Sequence, residues 1–126
     1  MGKILIFDDD PDILELCKVI LKVKGFETHG CTTTRNLAKK VREFNPDVIL
    51  MDNWIPEMGG VEATLEIKNT DDIKHIPVIF FSASNEVNEY ANKAKADFVI
   101  QKPFDIADLH NTVVSALKKN SQKADA

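Results

Sequence analysis

The sequence predicts an α/β protein, a doubly wound parallel sheet with helices on both faces. Three observations point there. Short, continuous apolar runs alternate along the chain with segments of helical spacing. The runs nearest the middle have no polar alternate positions. Turn-forming residues separate one kind of segment from the other. Strands that are apolar at every position are those buried on both faces, and strict alternation with helices implies parallel pairing.

Each element can be justified in order. Ile4-Leu5-Ile6-Phe7, Val48-Ile49-Leu50-Met51 and Val78-Ile79-Phe80-Phe81 are short and rich in branched and aromatic residues, so they read as strands. Phe26-Glu27-Thr28-His29 alternates in polarity and suits an edge, and Phe98-Val99-Ile100 is a shorter fifth strand, also at an edge. Ile13, Leu16, Cys17 and Ile20 share one helical face, flanked by Leu14 and Leu21. Leu37, Val41 and Phe44 form a second stripe, and Ile106, Leu109, Val113 and Leu117 another, with Asp105 as its N-cap. Residues 61–68 and 86–94 are compatible with helices. Lys24-Gly25, Asn45-Pro46 and Ile76-Pro77 mark boundaries. The expectation is five βα units with strand order 2-1-3-4-5, because a polar second strand belongs at an edge. One domain spanning 1–126 is expected, with a frayed polar tail from about 119 and no further domain.

Composition excludes several classes of function. The 126 residues carry 16 Lys+Arg against 20 Asp+Glu, a formal net charge of −4, with no dense basic run. That is a poor basis for nucleic-acid binding. No apolar stretch approaches membrane-spanning length, and no secretory signal or myristoylation motif is visible, so no membrane association is expected. Cys17 and Cys31 form no metal-type pair or disulfide framework, which points to the reducing cytoplasm. Cys17 reads as a small buried hydrophobe. His29, His75 and His110 fall on different elements without metal-ligand spacing.

Chemistry in an open α/β sheet gathers beyond the carboxyl ends of the strands. Asp8, Asp9 and Asp10 follow the first strand, Asp52 the third, Ser82 the fourth and Lys102 the fifth. Taken singly, each has an ordinary reading. Asp8–Asp10 would make a solvated turn before a helix, Ser82 a cap and Lys102 a surface cation. Together, neighbouring strand ends bring carboxylates, a hydroxyl and an ammonium to one rim. Clustered carboxylates repel one another and raise one another's pKa, so a cation belongs among them, and hard oxygen donors suit Mg²⁺. An Asp in such a setting can act as a nucleophile toward a phosphoryl group, whose oxygens the Lys102 ammonium and the Ser82 hydroxyl would receive.

The segments KILIFDDDPDI, VILMDNWIPEMGG, VIFFSAS and FVIQKPF are similar to the receiver domain of bacterial two-component response regulators, over nearly the whole chain. The chain resembles the stand-alone, chemotaxis-regulator type with a flavodoxin-like fold. The resemblance implies a phosphorylation switch with Asp52 as phosphoacceptor. It implies that Mg²⁺ is ligated by Asp9 and Asp52 directly, by Asp8 largely through water, and by the Trp54 backbone carbonyl. Ser82 matches the switch hydroxyl, and Lys102 the phosphoryl-binding lysine, with a cis bond to Pro103. Trp54 and Ser84 match the variable positions linked to dephosphorylation rate. The implied donor is a sensor histidine kinase or a histidine phosphotransfer protein, and the output is binding to an unnamed protein target rather than turnover.

One position departs from the pattern. The family carries Tyr or Phe three residues before the lysine, and here that position is Val99, preceded by Phe98. Strand pleating puts the two on opposite faces, so Phe98 cannot substitute for the missing ring. Competing readings fare worse. A dehalogenase-type phosphatase would use an Asp-x-Asp after the first strand, but Pro11 and Asp12 follow in the wrong context and no cap fits the length. A flavin binder would need a phosphate nest where the first loop is acidic. A docking-only pseudo-receiver would be expected to lack the acidic or lysine residues that are present here.

Overall fold

A computed structural model of the chain describes residues 2–83 and 85–125, with the backbone alone described for 120–125. Ten elements alternate: β1 (Lys3–Phe7), α1 (Pro11–Val23), β2 (Glu27–Cys31), α2 (Leu37–Phe44), β3 (Val48–Asp52), α3 (Gly60–Lys68), β4 (Val78–Ser82), α4 (Val87–Ala94), β5 (Phe98–Gln101) and α5 (Ile106–Asp125). All strand pairings are parallel, in the order β2-β1-β3-β4-β5 expected from the sequence.

Local chemistry sets the element ends. Asp10 caps α1 in extended geometry, its Oδ1 accepting from the Asp12 amide at 2.9 Å, and Pro11 opens the helix where no amide is needed. Gly25 follows α1 at φ +93°, in the left-handed region that glycine enters without a Cβ penalty. Asn45 closes α2 at φ 52°, just before Pro46. Asp105 caps α5 by accepting from the Asp108 amide at 2.7 Å.

The pleat divides the core in two. Ile4, Ile6, Val48, Leu50, Ile79, Phe81 and Ile100 face α1 and α5, where Cys17, Leu21, Leu109 and Val113 meet them. Leu5, Phe7, Ile49, Met51 and Val78 face α2 and α3, against Leu37, Val41, Ala63 and Ile67. Phe80 faces α4, where Val87, Ala91 and Ala94 cover it. The α1 stripe is rotated from its expected position. Leu16 is 49% exposed, because Cys17, Ile20 and Leu21 occupy the buried arc and Leu16 lies to one side of it. Ile106, at the mouth of α5, is also exposed. The last helix, α5, runs on to Asp125. The stretch Lys118–Asp125 contains no Gly, Pro or β-branched residue to stop α5.

The rim opposite the strand carboxyl ends is tied by Asp97, which precedes β5. Its Oδ2 accepts from the Val78 amide at 2.9 Å, while Lys68 of α3 and Lys119 of α5 reach it at 2.6 and 2.5 Å. Burial raises the carboxyl pKa, but hydrogen bonds from Lys119, Lys68 and the Val78 amide outweigh it, so the net shift is downward. Removing Asp97 would leave Lys68 buried without this partner. Asp97→Ala should cost about 3 kcal/mol in urea unfolding, whereas Lys119→Met, at a more exposed site, should cost no more than about 1 kcal/mol. Equal, small losses would mean that the network does not hold this rim.

Candidate functional site

Strand register determines which groups meet. Phe7 lies opposite Met51, Asp52 opposite Phe81, and Ser82 opposite Gln101. Asp8, Asp52, Ser82 and Lys102 therefore stand within a residue or two of level across four adjacent strands. Asp8 is fully buried, Asp52 is 5% exposed, and Asp9 is exposed at the mouth.

The Lys102 ammonium is the bridge. Its Nζ lies 2.8 Å from Asp8 Oδ2 and 3.2 Å from Asp52 Oδ1, and 4.5 Å from the centre of the Phe81 ring beneath it. The second Asp8 oxygen accepts the Asp10 amide at 2.8 Å, so both Asp8 oxygens are engaged. The Lys102 amide donates to the Ser82 carbonyl at 2.8 Å, and the Lys102–Pro103 bond is cis. Ser82 is fully buried at the end of β4.

The electrostatics follow from this packing. Carboxylate oxygens of Asp8, Asp9 and Asp52 lie within 4.8 Å of one another. Burial pushes the Asp52 carboxyl up from 3.8 to about 6; Lys102 opposes the shift, and the charges of Asp8 and Asp9 add to it. Burial pulls the Lys102 ammonium down, but hydrogen bonding to Asp8 and the charges of Asp52 and Asp8 more than compensate, and its pKa is raised. Three carboxylates thus face one ammonium, a deficit of positive charge. Hard oxygen donors under mutual repulsion fit a small divalent cation such as Mg²⁺, and this cluster could hold one. Behind the site, Cys17 is buried and its thiol is pushed up to about 12 by burial, then by Asp8, so it packs as a neutral side chain.

The sequence-predicted residues fall into two groups. Asp8, Asp9, Asp52, Ser82 and Lys102 gather at one rim. Val99 does not join them: it pairs with Phe80 on the α4 face and is 36% exposed, while Phe98 pairs with Ile79 and packs on the opposite face. Trp54 stands at the mouth, 68% exposed, with its ring edge-on to Tyr90 of α4. Ser84 lies outside the described residues. Two contributors gave weaker signals. Gly60 donates to the Asn53 carbonyl at 2.9 Å, and a Cβ there would lie 2.1 Å from the Asp52 carbonyl oxygen, so only glycine lets α3 start this close to the Asp52 turn. The Gly59-Gly60 pair was visible in the sequence, but its tight approach was not. Tyr90 carried no signal.

Comparison with known proteins agrees with this geometry. Residues 4–114 match the response regulator receiver domain. The chain belongs to that family. The receiver is similar to the regulatory protein AtoC of Escherichia coli K12, 33% identical over 98% of this chain but only 27% of that protein. It is also similar to the polar-differentiation response regulator DivK of Brucella anthropi, 29% identical over 90% of this chain and 94% of DivK. The chain thus spans about a quarter of one curated relative and nearly all of another. A CheY-like receiver domain structure from Methanospirillum hungatei JF-1 superposes with TM-score 0.86 at 26% identity, covering 98% of both chains.

The raised Asp52 pKa has a thermodynamic sign. In the receiver this carboxyl holds its proton to about pH 6, whereas the unfolded chain releases it near 3.8. Between those values the folded state binds more protons, so raising the pH favours unfolding, and the cost is complete above pH 6. In chelator, Asp52→Asn should be more stable than the parent at pH 7.5 by about 1–3 kcal/mol, the advantage shrinking toward pH 4. A pH-independent difference would contradict the shift. Gly60→Ala should lose about 1–3 kcal/mol through the forced retreat of α3 from the Asp52 turn, as measured by thermal unfolding.

Proposed function

We propose that the chain accepts a phosphoryl group on Asp52 from a phosphohistidine, on a sensor histidine kinase or a histidine phosphotransfer protein, and that the phosphorylated form binds a different protein partner. The observation that carries this reading is Lys102 bridging Asp8 and Asp52 beside an acidic cluster able to hold a cation. Membership of the receiver family supports it, since the family is a signalling switch rather than a turnover enzyme.

The chemistry follows from the side chains. An Asp52 carboxylate oxygen attacks phosphorus, the phosphorus–nitrogen bond of the donor breaks, and the electron pair returns to the imidazole. Above pH 6 Asp52 is largely ionised, and its raised basicity favours nucleophilic attack. Lys102 would turn from the Asp52 oxygen toward a phosphoryl oxygen, and the Ser82 hydroxyl would donate to another. Asp9, Asp52 and the Trp54 backbone carbonyl are the proposed direct Mg²⁺ ligands. Asp8, with both oxygens engaged, would act largely through water. Mg²⁺ held there supplies positive charge against the phosphoryl oxygens.

A strand-one nucleophile, as a phosphatase would need, is disfavoured because Asp8 is fully buried and doubly bonded. A cytoplasmic setting fits the free, buried Cys17 and Cys31, and no helix among the described residues is long and apolar enough to cross a membrane. A net charge of −4 favours a protein target over nucleic acid.

Incubation with phosphoramidate and Mg²⁺ should add one phosphoryl mass to the intact chain. Chelator should prevent the addition, and Asp52→Asn should abolish it. An unmodified parent chain, or equal labelling of Asp52→Asn, would sink this reading.

A further inference from the structure

Val99 leaves the α4 face of β5 without a ring, yet a different aromatic contact crosses to α4. Trp54 follows Asp52 by two residues and is mostly exposed, but its ring meets Tyr90 of α4 with centroids 6.5 Å apart and planes at 72°. Such an edge-to-face pair is directional, so it registers small displacements of either ring. The backbone on the Trp54 side is tied to Asp52, because Gly60 packs against the Asp52 carbonyl and bonds to Asn53. On the other side, Tyr90 stands one helical turn after Glu86, the residue that leads from the Ser82 loop into α4. Both limbs of the site therefore converge on Tyr90.

The helix that receives this contact is lightly seated. Among the described residues, α4 buries Val87, Ala91 and Ala94 against Phe80, with Val61 and Tyr90 alongside. Small side chains make few dispersion contacts, so α4 can shift at little cost.

We propose that Tyr90 is a positioning residue that clamps Trp54 and makes this pair the link through which phosphorylation of Asp52 moves α4. The inference rests on Asp52 being the phosphoacceptor. It assigns the signalling step to an aromatic contact on α4, replacing a ring on β5. By linkage, whatever the contact contributes differently in the two states appears as a change in α4.

Two measurements on the full chain test it. Trp54 is the sole tryptophan, so its fluorescence anisotropy reads the clamp directly, without any phosphoryl group. Tyr90→Leu, which keeps apolar bulk, should free the ring and lower the anisotropy, while Tyr90→Phe should leave it unchanged. Hydrogen exchange of the α4 amides, compared with and without phosphoramidate at occupancy measured by mass, then reads the relay. The phosphorylation-dependent change should fall by about threefold or more in Tyr90→Leu and in Trp54→Leu, no further in the double variant, and persist in Tyr90→Phe. Unchanged anisotropy in Tyr90→Leu, or an α4 response equal to that of the parent, overturns the proposal. A chain that takes no phosphoryl group, with the clamp intact, overturns the phosphoacceptor reading and the relay with it.

Discussion

Three carboxylates share one rim with the partly buried Lys102 ammonium, and the rest of the site is arranged around that imbalance. Lys102 sits between Asp8 and Asp52, held from below by the Phe81 ring and from behind by its own amide on Ser82. It partly neutralises the pair without satisfying it, as the upward shift of Asp52 to about 6 records. A fully balanced site would be inert. The remaining negative charge leaves the Asp8, Asp9 and Asp52 cluster able to hold a cation.

The fold's contribution is to make this imbalance affordable. Parallel strands with all-apolar cores align their carboxyl ends, so that groups distant in sequence meet without long loops. The packed core on both faces carries the stability, leaving the rim free to be strained by charge. Family membership and the convergence of Asp8, Asp9, Asp52, Ser82 and Lys102 describe the same object from two directions.

Much of this was legible in the sequence, for identifiable reasons. Strand order followed from the polar alternation of residues 26–29 against the unbroken apolar runs of β1, β3 and β4. The site followed from reading what comes after each strand. The opposite faces of Phe98 and Val99 followed from the pleat alone. What escaped were contacts that no period encodes. The approach of Gly60 to Asp52 depends on where α3 starts, and Tyr90 meets Trp54 only because two loops bring separate elements together. The rotation of α1 that exposes Leu16 was missed because two adjacent arcs of that helix are nearly equally apolar.

Asp97 gives the molecule a fixed end. With α3, β4 and α5 held to one buried carboxylate at the rim away from Asp52, the strands beside it cannot slide along their length. A push at Ser82 therefore has a fulcrum on the far side of the sheet. A displacement at Ser82 would turn about Asp97, with a reach that grows with distance from it, and α4, seated on Val87, Ala91 and Ala94, would be the arm that travels.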